Sequence, residues 1–233
     1  MQMQQPASRT RSDLGLRHRY KEVREPLYFP HRETVMESDV HRRLKTALWL
    51  ILEQELGEEA TVGSDHFVYW NARNPTRSLA PDVFVHCGPQ QRGYLSWKTW
   101  ELGTPQVAVE ITSPSDRPEG PWQDKLERYH ELGVQELVRY RRDQPGGQRL
   151  HIWDRVDQNL LEREVEGDVG VSNVLGLYWV GVEDPKWGPM LRVARDAEAE
   201  ALLPTPVEHE ARAREAAELR VRELEAELRR RGG

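Results

Sequence analysis

Two short β-branched runs, each carrying one acid on the side away from its valines, constrain this chain more than any other feature. The first is Pro81-Asp82-Val83-Phe84-Val85-His86, and the second is Val107-Ala108-Val109-Glu110-Ile111-Thr112. Bounded by Pro and Gly, such runs read as strands. Period-two alternation puts Val83, Val85 and Cys87 on one face and Asp82, Phe84 and His86 on the other. In the second run Val107, Val109 and Ile111 share a face, opposite Ala108, Glu110 and Thr112. Asp82 and Glu110 can face each other only if the two strands are neighbours.

The segment from Trp122 to Leu132 reads as an amphipathic helix. Trp122, Leu126, Tyr129 and Gly133 follow a single stripe of a 3.6-residue period. Lys125 lies on that inward stripe, while Asp124, Glu127 and Glu131 point away. A lysine on a packing face is costly unless its ammonium reaches water or a carboxylate. Asp82 and Glu110 are the obvious partners, which predicts that all three converge.

In order, these residues resemble the Uma-type restriction-endonuclease family, a branch of the PD-(D/E)XK nuclease superfamily. The resemblance rests on Pro81-Asp82, Glu110, Ser113-Pro114, Lys125 with Tyr129, Gly133-Val134, and the strand from Glu136 to Tyr140. It spans roughly Thr34 to Leu191. Two departures stand out. The superfamily's lysine two residues after the glutamate is replaced by Thr112, and the resemblance implies that its role has moved to Lys125. The family's Tyr-Trp after the helix is replaced by Leu137-Val138, a change in strand packing rather than in metal chemistry.

What the resemblance implies is a restriction-endonuclease-like α/β fold, a mixed β-sheet flanked by helices, that hydrolyses DNA phosphodiester bonds with a divalent metal. Such hydrolysis needs an activated water and neutralisation of charge on phosphate, and an ion held by hard carboxylate oxygens supplies both. Mg²⁺ or Mn²⁺ suits Asp82 and Glu110, with the backbone carbonyl of Ile111 as an implied third ligand. Lys125 would orient the water or stabilise the developing charge. Glu37, His41, Thr112 and Tyr129 are candidate site neighbours, although capping or edge-of-core roles suit Glu37 and His41 as well. Asp116 and Asp124 are expected not to be ligands. No small-molecule cofactor is expected.

Composition bounds the rest. A length of 233 residues favours one domain with extensions. The single cysteine, Cys87, excludes an internal disulfide and suits a reducing compartment; it reads as a small buried side chain. Apolar runs are too short to span a membrane and no signal-peptide core is visible, so a soluble, cytoplasmic protein is expected. The formal net charge is −6, and residues 33–207 carry 19 basic against 29 acidic side chains. That balance does not suit tight duplex binding by counterion release alone. Residues 1–32 carry seven Lys/Arg against three Asp/Glu, a basic arm whose composition favours a solvated tail, with Arg17, Arg19 and Lys21 as alternative phosphate contacts.

The expected organisation is therefore a basic arm over 1–32, a nuclease-like domain over 33–195, and a linker with a charged helix over 196–233. A first helix is capped by Thr34 to Glu37 or by Ser38 and stopped at Gly57. Further strands are expected at 61–62, 66–70, 136–140, 150–153, 160–165, 177–182 and 191–194. Trp97 and Trp100 read either as covers of a sheet edge or as base-stacking aromatics. In the last helix Ala217, Val221, Leu224 and Leu228 follow a 4-3-4 spacing suited to a coiled-coil seam, predicting a homodimer. The alternative function is a catalytically silent nuclease-like protein that works as an interaction module through this helix.

Overall fold

Ser38 begins the first helix: its hydroxyl accepts the amide hydrogen of His41 at 3.1 Å, satisfying one of the free N–H groups of the first turn. The computed structural model describes residues 27–30, 38–112 and 121–231. Thr34, Glu37, Ser113, Pro114, Asp116 and the Arg17–Lys21 cluster fall outside them. The elements run α1 (Asp39–Leu56), β1 (Ala60–Gly63), β2 (Val68–Tyr69), β3 (Ser78–Leu79), β4 (Val83–Cys87), β5 (Trp97–Lys98), α2 (Thr99–Leu102), β6 (Val107–Thr112) and α3 (Trp122–Leu132). They continue with β7 (Glu136–Arg141), β8 (Leu150–Val156), β9 (Asn159–Arg163), β10 (Val169–Val171), β11 (Tyr178–Asp184), β12 (Gly188–Ala194) and α4 (Pro206–Arg231).

The central sheet has six strands in the order β1-β4-β6-β7-β8-β9. Only β6 and β7 run parallel in it, and α3 provides the crossover that a parallel pair requires. Gly133 ends α3 at φ 91°, and its amide returns to the Tyr129 carbonyl. A residue with a Cβ is strained in that conformation. The mixed sheet with flanking helices is the expected fold class.

Alternating side chains give the sheet two apolar faces. On one, Val83, Val85, Val107, Val109 and Ile111 meet Leu44, Leu48, Ile51 and Leu52 of α1, with Trp179, Leu191 and Val193 from the three-stranded sheet β10-β11-β12. On the other, Phe84, Ala108, Leu137 and Trp153 meet Tyr129 and Leu132 of α3, and Trp97. The face assignments made from period two therefore hold in both acid-bearing strands. Burial of these aliphatic side chains contributes roughly 1.5–3 kcal/mol each.

Three expectations need correcting. Trp97 is a core residue, fully buried, with its indole N–H donated to the Gly103 carbonyl at 2.7 Å; it cannot stack on a base. Cys87 is exposed, because it ends β4 opposite the first residue of β1, where the ladder runs out. Strands 177–182 and 191–194 do not join the central sheet but form the β11–β12 hairpin of a second one. Among the described residues no helix is long and apolar enough to cross a membrane.

Candidate active site

The antiparallel register between β4 and β6 pairs Val83 with Val109, so one step further Asp82 stands opposite Glu110. Asp82 precedes β4 directly, and each of its carboxylate oxygens has a partner. Oδ2 accepts the backbone N–H of Ile111 at 2.6 Å, and Oδ1 lies 2.9 Å from His41 Nε2. A carboxylate oxygen accepts, so Nε2 is the protonated nitrogen of that ring. The Asp82 carbonyl accepts the Ser64 hydroxyl at 2.8 Å. The acid is thereby held from α1, from the β1–β2 connection and from β6 at once.

Glu110 projects to the opposite face of the sheet from the α1 core. Lys125 Nζ donates to its Oε2 at 2.9 Å, and the Tyr129 hydroxyl donates to its Oε1. Both donors come from the inward stripe of α3, spaced i and i+4 so that they overlie one another. Glu110 is only 3% exposed. Burial pushes its carboxyl above the usual carboxylate range, the Lys125 charge opposes this, Asp82 adds to it, and the hydrogen bonds from Tyr129 and Lys125 oppose it again.

Asp82, Glu110 and Lys125 therefore meet at one end of the sheet, with His41 and Tyr129 as direct supports. Thr112 shares the Glu110 face two residues on; its carbonyl accepts the Arg142 amide at 2.9 Å, and its Oγ1 is buried without a hydrogen bond among the described residues. Asp124 is exposed on the outer side of α3. Glu37 and Asp116 lie outside the described residues.

Sequence reasoning missed other groups. Lys45 is buried at 3% exposure and donates to Asp65 Oδ1 at 2.6 Å. It falls one turn after His41 on α1, a signal that could have placed it. Ser64 gave no signal, since nothing local distinguishes its hydroxyl from that of any loop serine. Arg139 gave one: in a strand with apolar residues at 137, 138 and 140, an arginine on the same face as Leu137 needs a reason.

The donors suit a hard divalent ion. Among the described residues each carboxylate oxygen of Asp82 and Glu110 is engaged once and keeps lone-pair capacity. Two acids brought together, one of them buried, gain from a cation between them. The Ile111 N–H points toward Asp82, and in a strand the carbonyl of the same residue faces the same edge, which suits the implied third ligand. No group of three His, Cys, Asp or Glu side chains among the described residues is arranged to hold a metal, so water, backbone or substrate oxygens would complete the coordination.

Fold and site together define an α/β protein with an acid pair and a lysine at the end of a mixed sheet. The chain belongs to the Uma2 family, described as "putative restriction endonuclease", whose model matches residues 20–182. Among solved structures it is similar to "a putative nuclease belonging to DUF820" from Anabaena variabilis ATCC 29413, at 13% identity and a TM-score of 0.43, covering 66% of this chain and 76% of that one. No curated protein matches it.

Proposed function

We propose that this protein is a metal-dependent endonuclease that hydrolyses DNA phosphodiester bonds at the Asp82–Glu110 end of the sheet. The observation that carries the reading is the Asp82 carboxylate on the Ile111 amide, the residue after Glu110, with Lys125 on Glu110 itself. Family membership supports the nuclease class. Asp82, Glu110 and the Ile111 carbonyl would hold Mg²⁺ or Mn²⁺, which supplies an activated water and charge neutralisation at phosphate. Ile111 and His41 fix the Asp82 rotamer. Tyr129 fixes Glu110, and its hydrogen bond favours the charged form against the effect of burial. Lys125, with 21% of its side chain exposed, is within reach of a phosphate oxygen and is placed to orient water or to stabilise developing negative charge.

The division into arm (1–32), nuclease body (33–195) and linker with helix (196–233) belongs to the same proposal. Leu203 in the core and Glu208 on the buried Arg192 guanidinium dock the start of the last part. A homodimer through α4 belongs to the nuclease reading, since a duplex has two strands to cut; the second reading is a catalytically silent interaction module, and both draw on that helix's outer stripe. Val221, Leu224 and Leu228 are all exposed there.

The test is a supercoiled-plasmid assay of the full chain in Mg²⁺, Mn²⁺ or EDTA, beside Glu110→Ala. Nicking that needs the ion and disappears in Glu110→Ala is expected. Cleavage that continues unchanged in that variant, or a wild type that cuts nothing with either ion, would leave the interaction-module reading in its place.

A further inference from the structure

Across the sheet from Glu110 runs a row of side chains that the acid pair and lysine do not account for. The parallel register sets Glu110 beside Arg139, and the antiparallel one sets Arg139 beside His151. All three stand on the α3 face. Two residues further along, on the same face, Thr112 is beside Arg141. The Arg139 guanidinium lies 4.0 Å from the centroid of the Trp122 ring, at the start of α3.

Arg139 is half-buried, and among the described residues it forms no ion pair; its Nε is buried without a hydrogen bond. The nearby carboxylates are engaged elsewhere. Glu110 is on Lys125 at 2.9 Å, Asp143 on Arg141 at 3.2 Å, and Glu162 on His151 at 2.8 Å. Asp143, Glu110 and Glu162 act on the Arg139 charge without bonding it directly. A half-buried guanidinium with no directly bonded anion is unfavourable for the fold, and an aromatic face compensates only about 1–2 kcal/mol of that. Its planar fork matches phosphate oxygens. Beyond it, Arg141, His151, Gln148 and Glu162 border a cavity of about 620 Å³.

Resting on the nuclease reading above, we propose that Arg139, seated on Trp122, grips a phosphate of the substrate strand adjacent to the one cleaved. The strand then crosses β7 and β8 toward the cavity beside Arg141. This gives a net-negative body a local anion track. It also assigns Trp122 a positioning role, as the surface on which the guanidinium is held.

The experiment measures binding of a fluorescein-labelled duplex oligonucleotide to the full chain in Ca²⁺, by anisotropy over a series of salt concentrations. Wild type, Arg139→Gln, Arg139→Lys and the exposed-turn control Arg73→Gln are compared, each with a parallel Mn²⁺ titration and thermal melt. Loss of one phosphate contact predicts about tenfold weaker binding for Arg139→Gln and a salt slope lower by about one. Mn²⁺ affinity should be unchanged, Arg139→Lys intermediate, and Arg73→Gln like wild type. An Arg139→Gln protein that melts and binds Mn²⁺ normally yet holds DNA with the wild-type slope would overturn the inference while leaving the nuclease reading intact. If Arg139→Gln unfolds, Arg139→Lys decides on the same slope. A wild type that cuts plasmid but holds DNA with no salt dependence also overturns it; one that neither binds nor cuts overturns both.

Discussion

Glu110 in β6 and Glu136 in β7 are both buried, at 3% and 0% exposure, and burial pushes both carboxyls above their usual range. They sit on opposite faces of the sheet, and the parallel register places Glu136 beside Val107 at the start of β6 and Glu110 near its end. Their partners differ in kind. Glu136 accepts the Trp179 indole N–H at 2.8 Å and the Asn173 amide at 3.0 Å, with the Ser172 hydroxyl and, at 3.7 Å, the Arg163 guanidinium. These are mostly fixed dipoles, and they tie the second sheet to the first. Glu110 is held by a partly exposed ammonium and a phenol beside a second acid. Burial and a raised pKa thus do not by themselves mark a site. What separates the two is whether the partners can exchange for an ion and a substrate.

Four outcomes would break or sharpen that contrast. The largest concerns rate: Glu110→Gln should lower metal-supported plasmid cleavage by about 10³-fold, roughly 4 kcal/mol. Glu136→Gln should leave the rate per folded molecule near wild type. Equal losses in both, measured as initial nicking rates, would erase the distinction.

Stability should show the reverse order. Glu136→Ala strands the buried Trp179 indole N–H and removes the acceptor of the Asn173 amide, and should cost about 3 kcal/mol by urea unfolding. Glu110→Gln should cost less, because a neutral amide relieves the burial and the repulsion from Asp82. A Glu136→Ala protein within about 0.5 kcal/mol of wild type would show those donors finding other partners.

The pH dependence has opposite signs for metal and for fold. Protons compete with the ion for Glu110, so cleavage and Mn²⁺ affinity should begin to fall on acidification above the ordinary value of 4.5. Tyr129→Phe removes a donor that favours the charged form. It should move that acid limb further up and cost about 1.5 kcal/mol in rate. Without metal, the native state holds protons on Glu110 and Glu136 that the unfolded chain has released. That stabilisation is complete below the ordinary 4.5 and is lost as pH rises through the raised values. Urea midpoints of Glu136→Gln should show a shallower decline with rising pH than wild type.

The smallest effect is at the far end of the molecule. Arg192, 8% exposed, donates to Glu208 at 2.8 Å and to the Leu203 carbonyl at 2.7 Å. Truncation after Glu210 therefore keeps the docked turn and removes only the exposed stripe. It should weaken self-association in sedimentation while shifting unfolding by less than about 1 kcal/mol. A full-length chain that sediments as a monomer at micromolar concentration would end the homodimer proposal.

Much of the site was legible because its residues obey local periods. Strand alternation turned Glu110 away from the valine face, and the helical stripe put Lys125 and Tyr129 on it; Asp82, just before β4, reaches His41 of α1 and the Ile111 amide instead. Ser38 as cap and Gly57 and Gly133 as stops follow from chemistry contained in a few residues. What was not legible depends on which strands meet. The burial of Trp97, the exposure of Cys87 and the separate β10-β11-β12 sheet are set by long-range pairing. Arg139 becomes informative only once its register beside Glu110 is known.

The central claim is that Asp82 and Glu110 form one metal site while Glu136 does not. Isothermal titration of Mn²⁺ into the full-length protein, with Asp82→Asn, Glu110→Gln and Glu136→Gln beside it, tests this most directly. The account predicts a site in the wild type that weakens at least about tenfold, 1.4 kcal/mol, in each of the first two variants and is unchanged in the third. Mn²⁺ binding that survives both Asp82→Asn and Glu110→Gln, or that is lost only with Glu136→Gln, would contradict it.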